Sequence, residues 1–144
     1  MTYFPKDFHP TLRILRSALE EAIAPYLGRY ENGAIALWVE PPSSPKGAVV
    51  NGLECVISRY RTVTSSAVMV NDQVEDNYEW IVTIKTSDRS NETYQKFDGM
   101  IAAMRSRFPR RRESINTFTE TGTMIATFRI GEVAIYQTNR FSQG

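Results

Sequence analysis

Apolar residues recur at helical spacing in two stretches of the chain and alternate with polar ones in several more. Leu12, Leu15, Leu19, Ile23 and Tyr26 stand three or four residues apart, the stripe by which a helix faces a core, and predict a helix from Pro10 to Leu27. Pro10 suits the first turn, where its missing N–H costs nothing, while Pro25 and Gly28 place the end, with Gly28 a candidate C′ residue. A second stripe of Tyr94, Phe97, Met100, Ile101, Met104 and Phe108 predicts a helix that Ser90 or Asn91 can cap and Pro109 ends. Glu92 sits near its positive end and Arg105 and Arg107 near its negative end, as the helix dipole favours.

Alternation marks the strands. Ile35, Leu37 and Val39 share one side of a strand over Ala34 to Glu40, after the turn signal Glu31-Asn32-Gly33. The segment from Pro41 to Gly47 reads as a rigid polar loop. Leu53, Cys55 and Ile57 alternate with Glu54, Val56 and Ser58 in a strand over Leu53 to Arg61. Tyr78, Trp80, Val82 and Ile84 share one face of another, over Tyr78 to Thr86. Between them Thr62 to Asp76, with its apolar centre and polar flanks, reads as an exposed hairpin or arm. Ser114 to Thr119 and Thr123 to Ile130 predict strands turning at Glu120-Thr121-Gly122, and Gly131-Glu132 turns into a last strand over Val133 to Thr138.

This order predicts an α+β fold: a mainly antiparallel sheet, with two amphipathic helices packed on one face. At 144 residues the whole chain, 1–144, fits one domain, and a domain of that size can bury its core without a staple. The opposite face of the sheet, rich in Thr, Lys and Arg, is then either solvated or a place where another subunit docks.

Composition narrows the function classes. Lys and Arg number 17 against 16 Asp and Glu, so no overall basic field argues for nucleic acid or an anionic membrane. No apolar run approaches the ~18 residues a membrane span needs, and Met1 to Asp7 lacks the pattern of a secretory signal. With the lone Cys55 no internal disulfide can form, which fits a reducing compartment such as the cytoplasm. One histidine, His9, and one cysteine cannot build a zinc site of the usual kinds within one chain. Neither a phosphate-binding glycine loop nor a paired nucleophile and base is present, and Asp72, Glu75 and Asp76 lack a calcium-loop spacing. The expectation is therefore a protein that is not an enzyme, with no catalytic residue, metal or cofactor.

One cluster stands out. Arg105, Arg107, Arg110, Arg111 and Arg112 place five arginines within eight residues. Dipole complementarity accounts for Arg105 and Arg107, but not for Arg110, Arg111 and Arg112, which follow Pro109. The five make a candidate patch for phosphates or for an acidic protein surface. Phe108 belongs to the helix stripe, so base stacking within the cluster is not indicated.

The helix "LRILRSALEEAIAPYL", the strand "AIALWVEPP", a hairpin, the long strand "NYEWIVTIKTS", the helix "YQKFDGMIAAMRSRF" and a closing set of strands follow one another along nearly the whole chain. In order and length of elements this resembles the tail terminator (tail-completion) and neck proteins of tailed bacteriophages. The resemblance implies a virion subunit, assembled in the host cytoplasm, that forms a homo-oligomeric ring, typically a hexamer. Such a ring caps the tail tube and joins it to the head-side connector, with DNA passing through the channel. It offers no catalytic residues. The arm at 62–76 would then contact a neighbouring subunit or the tube, and the arginines would line the channel or meet an acidic neighbour. The alternatives are a small nucleic-acid-binding module using Arg105 to Arg112 and, third, an enzyme with a carboxylate-based site.

Overall fold

The computed structural model describes residues 10–39, 48–65 and 75–131. Helix α1 spans Pro10–Ile23 and buries Leu12, Leu15, Ala18, Leu19 and Ile23. Pro25 cannot donate to the helical ladder, so the chain tightens into a 3₁₀ turn over Ala24–Tyr26 and leaves it extended at Leu27. Gly28 does not take the left-handed conformation of a helix-ending glycine. Its role is close approach: a Cβ there would lie 1.4 Å from the Asn51 carbonyl oxygen. The expected C′ role is therefore corrected to a crossing point of two backbones.

Beyond this point come the short strands β1 (Arg29–Tyr30), β2 (Leu37–Val39) and β3 (Val49–Asn51), then the long strands β4 (Leu53–Ser65) and β5 (Glu75–Thr86). Helix α2 (Asn91–Arg107) leads to β6 (Arg112–Phe118) and β7 (Thr123–Gly131). The turn expected at Glu31-Asn32-Gly33 forms between β1 and β2, with Gly33 at φ 89° and Ala34 N–H donating to Asn32 Oδ1 at 2.9 Å. Ser90, rather than Asn91, caps α2: its Oγ accepts from Thr93 N–H at 3.1 Å and donates to Asp88 Oδ1 at 2.8 Å.

Among the described residues, five strands form one sheet in the order β2-β4-β5-β7-β6, and β1 pairs with β3 in a separate ribbon. The fold is α+β, as expected, but the sheet is mixed, because β2 runs parallel to β4 while the other pairings are antiparallel. Parallel neighbours need a return segment between them, and here β3 supplies it by doubling back on β1 before Gly52 turns the chain into β4. The strands β1 and β3, two and three residues long, carry too little pattern to be read from sequence. The last expected strand, Val133 to Thr138, lies outside the described residues.

Period-two alternation sorts the sheet into two faces. Leu37, Leu53, Cys55, Ile57, Trp80, Val82, Ile84, Ala126, Phe128 and Ile130 form one core with the apolar stripes of both helices. The opposite face divides. Near β2, Tyr30 of the ribbon donates its hydroxyl to Glu54 Oε2 at 2.8 Å and packs edge-on against Trp38, so Glu54 is buried. Toward β6 the face opens: Lys85, Arg129, Arg112, Ser114, Asn116 and Phe118 are exposed. The described β5–β7 pairs run from Lys85↔Ile125 to Glu79↔Gly131, and the β4–β5 ladder runs to Ser65↔Glu75. Residues 66–74 of the expected arm lie outside the described residues.

Candidate functional site

The end of α2 and the start of β6 carry the five arginines, and the structure separates them. Phe108 closes the helix with its N–H on Met104 O at 2.8 Å and is wholly buried, which anchors the chain before it turns at Pro109 and Arg110. Arg107 lies back over the Phe108 ring, its guanidinium carbon 5.2 Å from the centroid, a cation–π contact that covers the core. Arg105 and Arg111 both turn to Glu113. Arg105 approaches the carboxylate through Nε and Nη2, the latter at 2.6 Å, and Arg111 Nε donates to Glu113 Oε1 at 2.7 Å. Arg111 Nη1 also reaches the Phe108 carbonyl at 3.4 Å, near the negative end of the helix. Arg110 is exposed on the turn, and Arg112 is exposed on β6.

The five arginines thus divide among different contacts. Glu113, which follows the run directly in sequence, is the organising residue that composition alone passes over. It gathers two of the five into one charge-assisted network. The hydrogen bond from Arg105 is the largest cause holding its carboxyl down to about 2, with Arg111 adding to it against the opposing effect of burial. Arg105 is raised in turn by the same bond. A carboxyl depressed from 4.5 stabilises the fold fully above that value and loses the contribution as pH falls through about 2. Ion pairs at a surface contribute about 1 kcal/mol or less, so the effect is modest. The Glu113→Gln variant is accordingly expected to melt slightly lower than the parent at pH 7, with the gap closing between pH 4.5 and about 2. Melting curves of both proteins across that range check this; a gap that widened on acidification would contradict the network.

Register brings a partner that the sequence reading missed. The tight turn with Gly122 at φ 71° sets Phe118 opposite Thr123, and the ladder then places Arg112 opposite Arg129 and Ser114 opposite Thr127. Opposite residues of an antiparallel pair share a face, so both arginines and both hydroxyls stand on the open side of the sheet. With Glu113 they line a cavity of about 360 Å³. β6 is the outermost strand of the described sheet, and it exposes Ile115 at 40% and Phe118 at 51%.

Residues weighed for chemistry fall elsewhere. Cys55 is fully buried in the core, where burial is the main cause that pushes its thiol far up, so it stands as a small apolar side chain there. His9 and Asp72 lie outside the described residues. Glu20 pairs with Arg16 at 3.0 Å on α1, and Glu21 is exposed. Among the described residues no group of three or more His, Cys, Asp or Glu comes together to hold a metal ion. Among them, too, no helix is long and apolar enough to cross a membrane. Comparison of the chain with protein families, with curated proteins and with solved structures finds no match.

Proposed function

We propose that the chain is a structural subunit that assembles with copies of itself into a closed ring, in the manner of the phage tail terminator and neck proteins it resembles. In that setting the ring, a hexamer in the family's usual form, caps a tail tube and meets a head-side connector within a virion. The observation that carries the reading is β6: among the described residues it is a seven-residue edge strand with six residues exposed, among them Ile115 and Phe118. A long exposed edge bearing apolar side chains is a liability for a monomer and an asset for a subunit, because its unpaired N–H and C=O groups invite a neighbour. A ring closes through a heterologous contact, in which this edge meets a different patch on the next copy. The neighbour's edge strand need not be the partner; any complementary surface suffices.

The experiment is a sedimentation comparison of the parent with Phe118→Asp. Phe118 is half exposed, so the substitution leaves the core untouched and places a charge at the edge. The parent is expected to sediment as a discrete oligomer and the variant as a 16.4 kDa monomer with unchanged far-ultraviolet circular dichroism. Equal assembly of the two proteins would remove β6 from the interface.

A further inference from the structure

An asparagine followed by glycine is open to attack on its own side chain, because no Cβ shields the next backbone nitrogen. The pair occurs twice in the chain, at Asn32-Gly33 and Asn51-Gly52. Both asparagines are exposed, so access of water does not tell them apart. The freedom of the peptide that follows each one does. The Asn51-Gly52 peptide is wedged into the backbone crossing: a Cβ on Gly28 would lie 1.4 Å from Asn51 O, and Gly52 is buried. Gly52 O also accepts from the N–H and the hydroxyl of Ser87, at 3.0 and 2.7 Å. Asn32-Gly33 stands instead at the tip of the turn between β1 and β2. Gly33 is exposed, and among the described residues nothing beyond its chain neighbours lies within 4 Å of its Cβ position. Its N–H donates to Tyr30 O at 2.9 Å, a turn bond that local opening breaks. The Asn32 side chain already folds over the glycine, with Oδ1 accepting from Ala34 N–H at 2.9 Å.

We propose that Asn32 is a site of self-modification, at which the β1–β2 turn converts its own asparagine to aspartate and isoaspartate through a cyclic imide. The Gly33 nitrogen gives up its proton to water and bonds to Asn32 Cγ. The Cγ–Nδ2 bond then breaks, and the amide nitrogen leaves as ammonia. Water opens the imide at the Cγ carbonyl to give aspartate, or at the backbone carbonyl to give isoaspartate. Water is the sole co-reactant, and nothing is oxidised or reduced. Ala34 N–H sits on Oδ1, where negative charge develops as the nitrogen adds, and Arg29 Nη1 on Gly33 O at 2.9 Å brings positive charge beside it. Either product sets a carboxylate next to Glu31, and isoaspartate also lengthens the backbone of the turn. That turn holds Tyr30 N–H on Ala34 O at 2.8 Å, and Tyr30 in turn bonds Glu54, so the change is passed to the ribbon over this part of the sheet. The site adjoins β2, at the opposite edge of the described sheet from β6, and does not depend on the ring.

The test is prolonged incubation of the folded 144-residue chain in warm neutral buffer, followed by tryptic digestion and mass spectrometry. Trypsin places the two asparagines in separate peptides, Tyr30 to Lys46 and Gly47 to Arg59. The first is expected to gain about 1 Da, resolved by chromatography into aspartate and isoaspartate forms, at least about tenfold faster than the second. In urea, with the crossing opened, the two rates should come within about threefold of each other. Gly33→Ala, whose Cβ hinders the attack, should slow the change at Asn32 at least about tenfold both in the folded chain and in urea, so a shift in the fold cannot account for it. Equal rates at the two asparagines of the folded chain, or a faster Asn51, would overturn the proposal. So would change at both sites in urea but at neither in the folded chain. Gly33→Ala reacting as fast as the parent would overturn the cyclic route.

Discussion

Trp80→Ala is expected to destabilise the protein by about 3–5 kcal/mol, the loss typical when a large aromatic is cut back in a core that cannot collapse. Trp80 sits on β5, the central strand of the sheet, opposite Ile130 of β7, and has no exposed surface. Around it the same face carries Val82, Ile57, Phe128 and the stripe of α2, so the space left would be closed on all sides. Domains of this kind are stable by about 5–15 kcal/mol in total, so the variant would approach the edge of folding. Urea titrations of parent and variant measure the difference, and an unchanged dependence on urea would show that the native state is otherwise intact. Phe118→Ala serves as the contrast: with 51% of the residue exposed, its loss should stay within about 0.5 kcal/mol for the isolated chain. A Trp80→Ala effect as small as that would mean the core is not where the sheet and helices place it.

The second large effect concerns a residue with no side chain. Gly28→Ala would set a Cβ 1.4 Å from Asn51 O and 2.6 Å from Asn51 C, overlaps that no rotamer can relieve because both atoms are backbone. Gly52 packs from the other side, its own Cβ position 3.0 Å from Gly28 Cα, and its φ of 84° already requires glycine. The crossing also holds Gly28 N–H to Leu53 O at 2.8 Å and Ala36 N–H to Gly28 O at 2.9 Å. Moving the two strands apart would break these bonds and loosen β1 and β3 together, so the expected loss is about 3 kcal/mol or more. Gly33→Ala gives the comparison. It has an unfavourable φ of 89° but open space around it, so it should cost about 1 kcal/mol, from backbone conformation alone. Thermal melts of both variants measure this. An effect at Gly28 no larger than that at Gly33 would show that the two backbones do not crowd each other there.

How much of this was legible in the sequence follows from the physics of each element. Both helices, their buried stripes and the strands with Leu53, Cys55 and Ile57 or Trp80, Val82 and Ile84 inward are read from periodicity, because a buried face imposes a repeat over many residues. The parallel neighbour of β4 was not legible: β1 and β3 are two and three residues long, and the turn that reverses the chain between β2 and β4 depends on Gly28 meeting Gly52 in space. A glycine read as a helix terminator proved to be a contact glycine, two roles that share one residue type.

At the candidate site the arginine cluster was visible as composition, but its partition was not. Starting β6 at Ser114 left Arg112 and Glu113 outside the strand; they are its first two residues. Once the turn fixes Phe118 opposite Thr123, counting back places Arg112 against Arg129, so the pair was within reach of register had the strand been drawn two residues longer. The grip of Arg105 on Glu113 spans eight positions and joins a helix end to a strand, which no local pattern encodes.

The ring is the central claim, and the mass of the 144-residue chain in solution, by light scattering with negative-stain images of the same sample, tests it most directly. The account predicts a single mass at a whole multiple of 16.4 kDa and closed rings with a central hole. A monomer at every concentration, with no closed particle in the images, would contradict it.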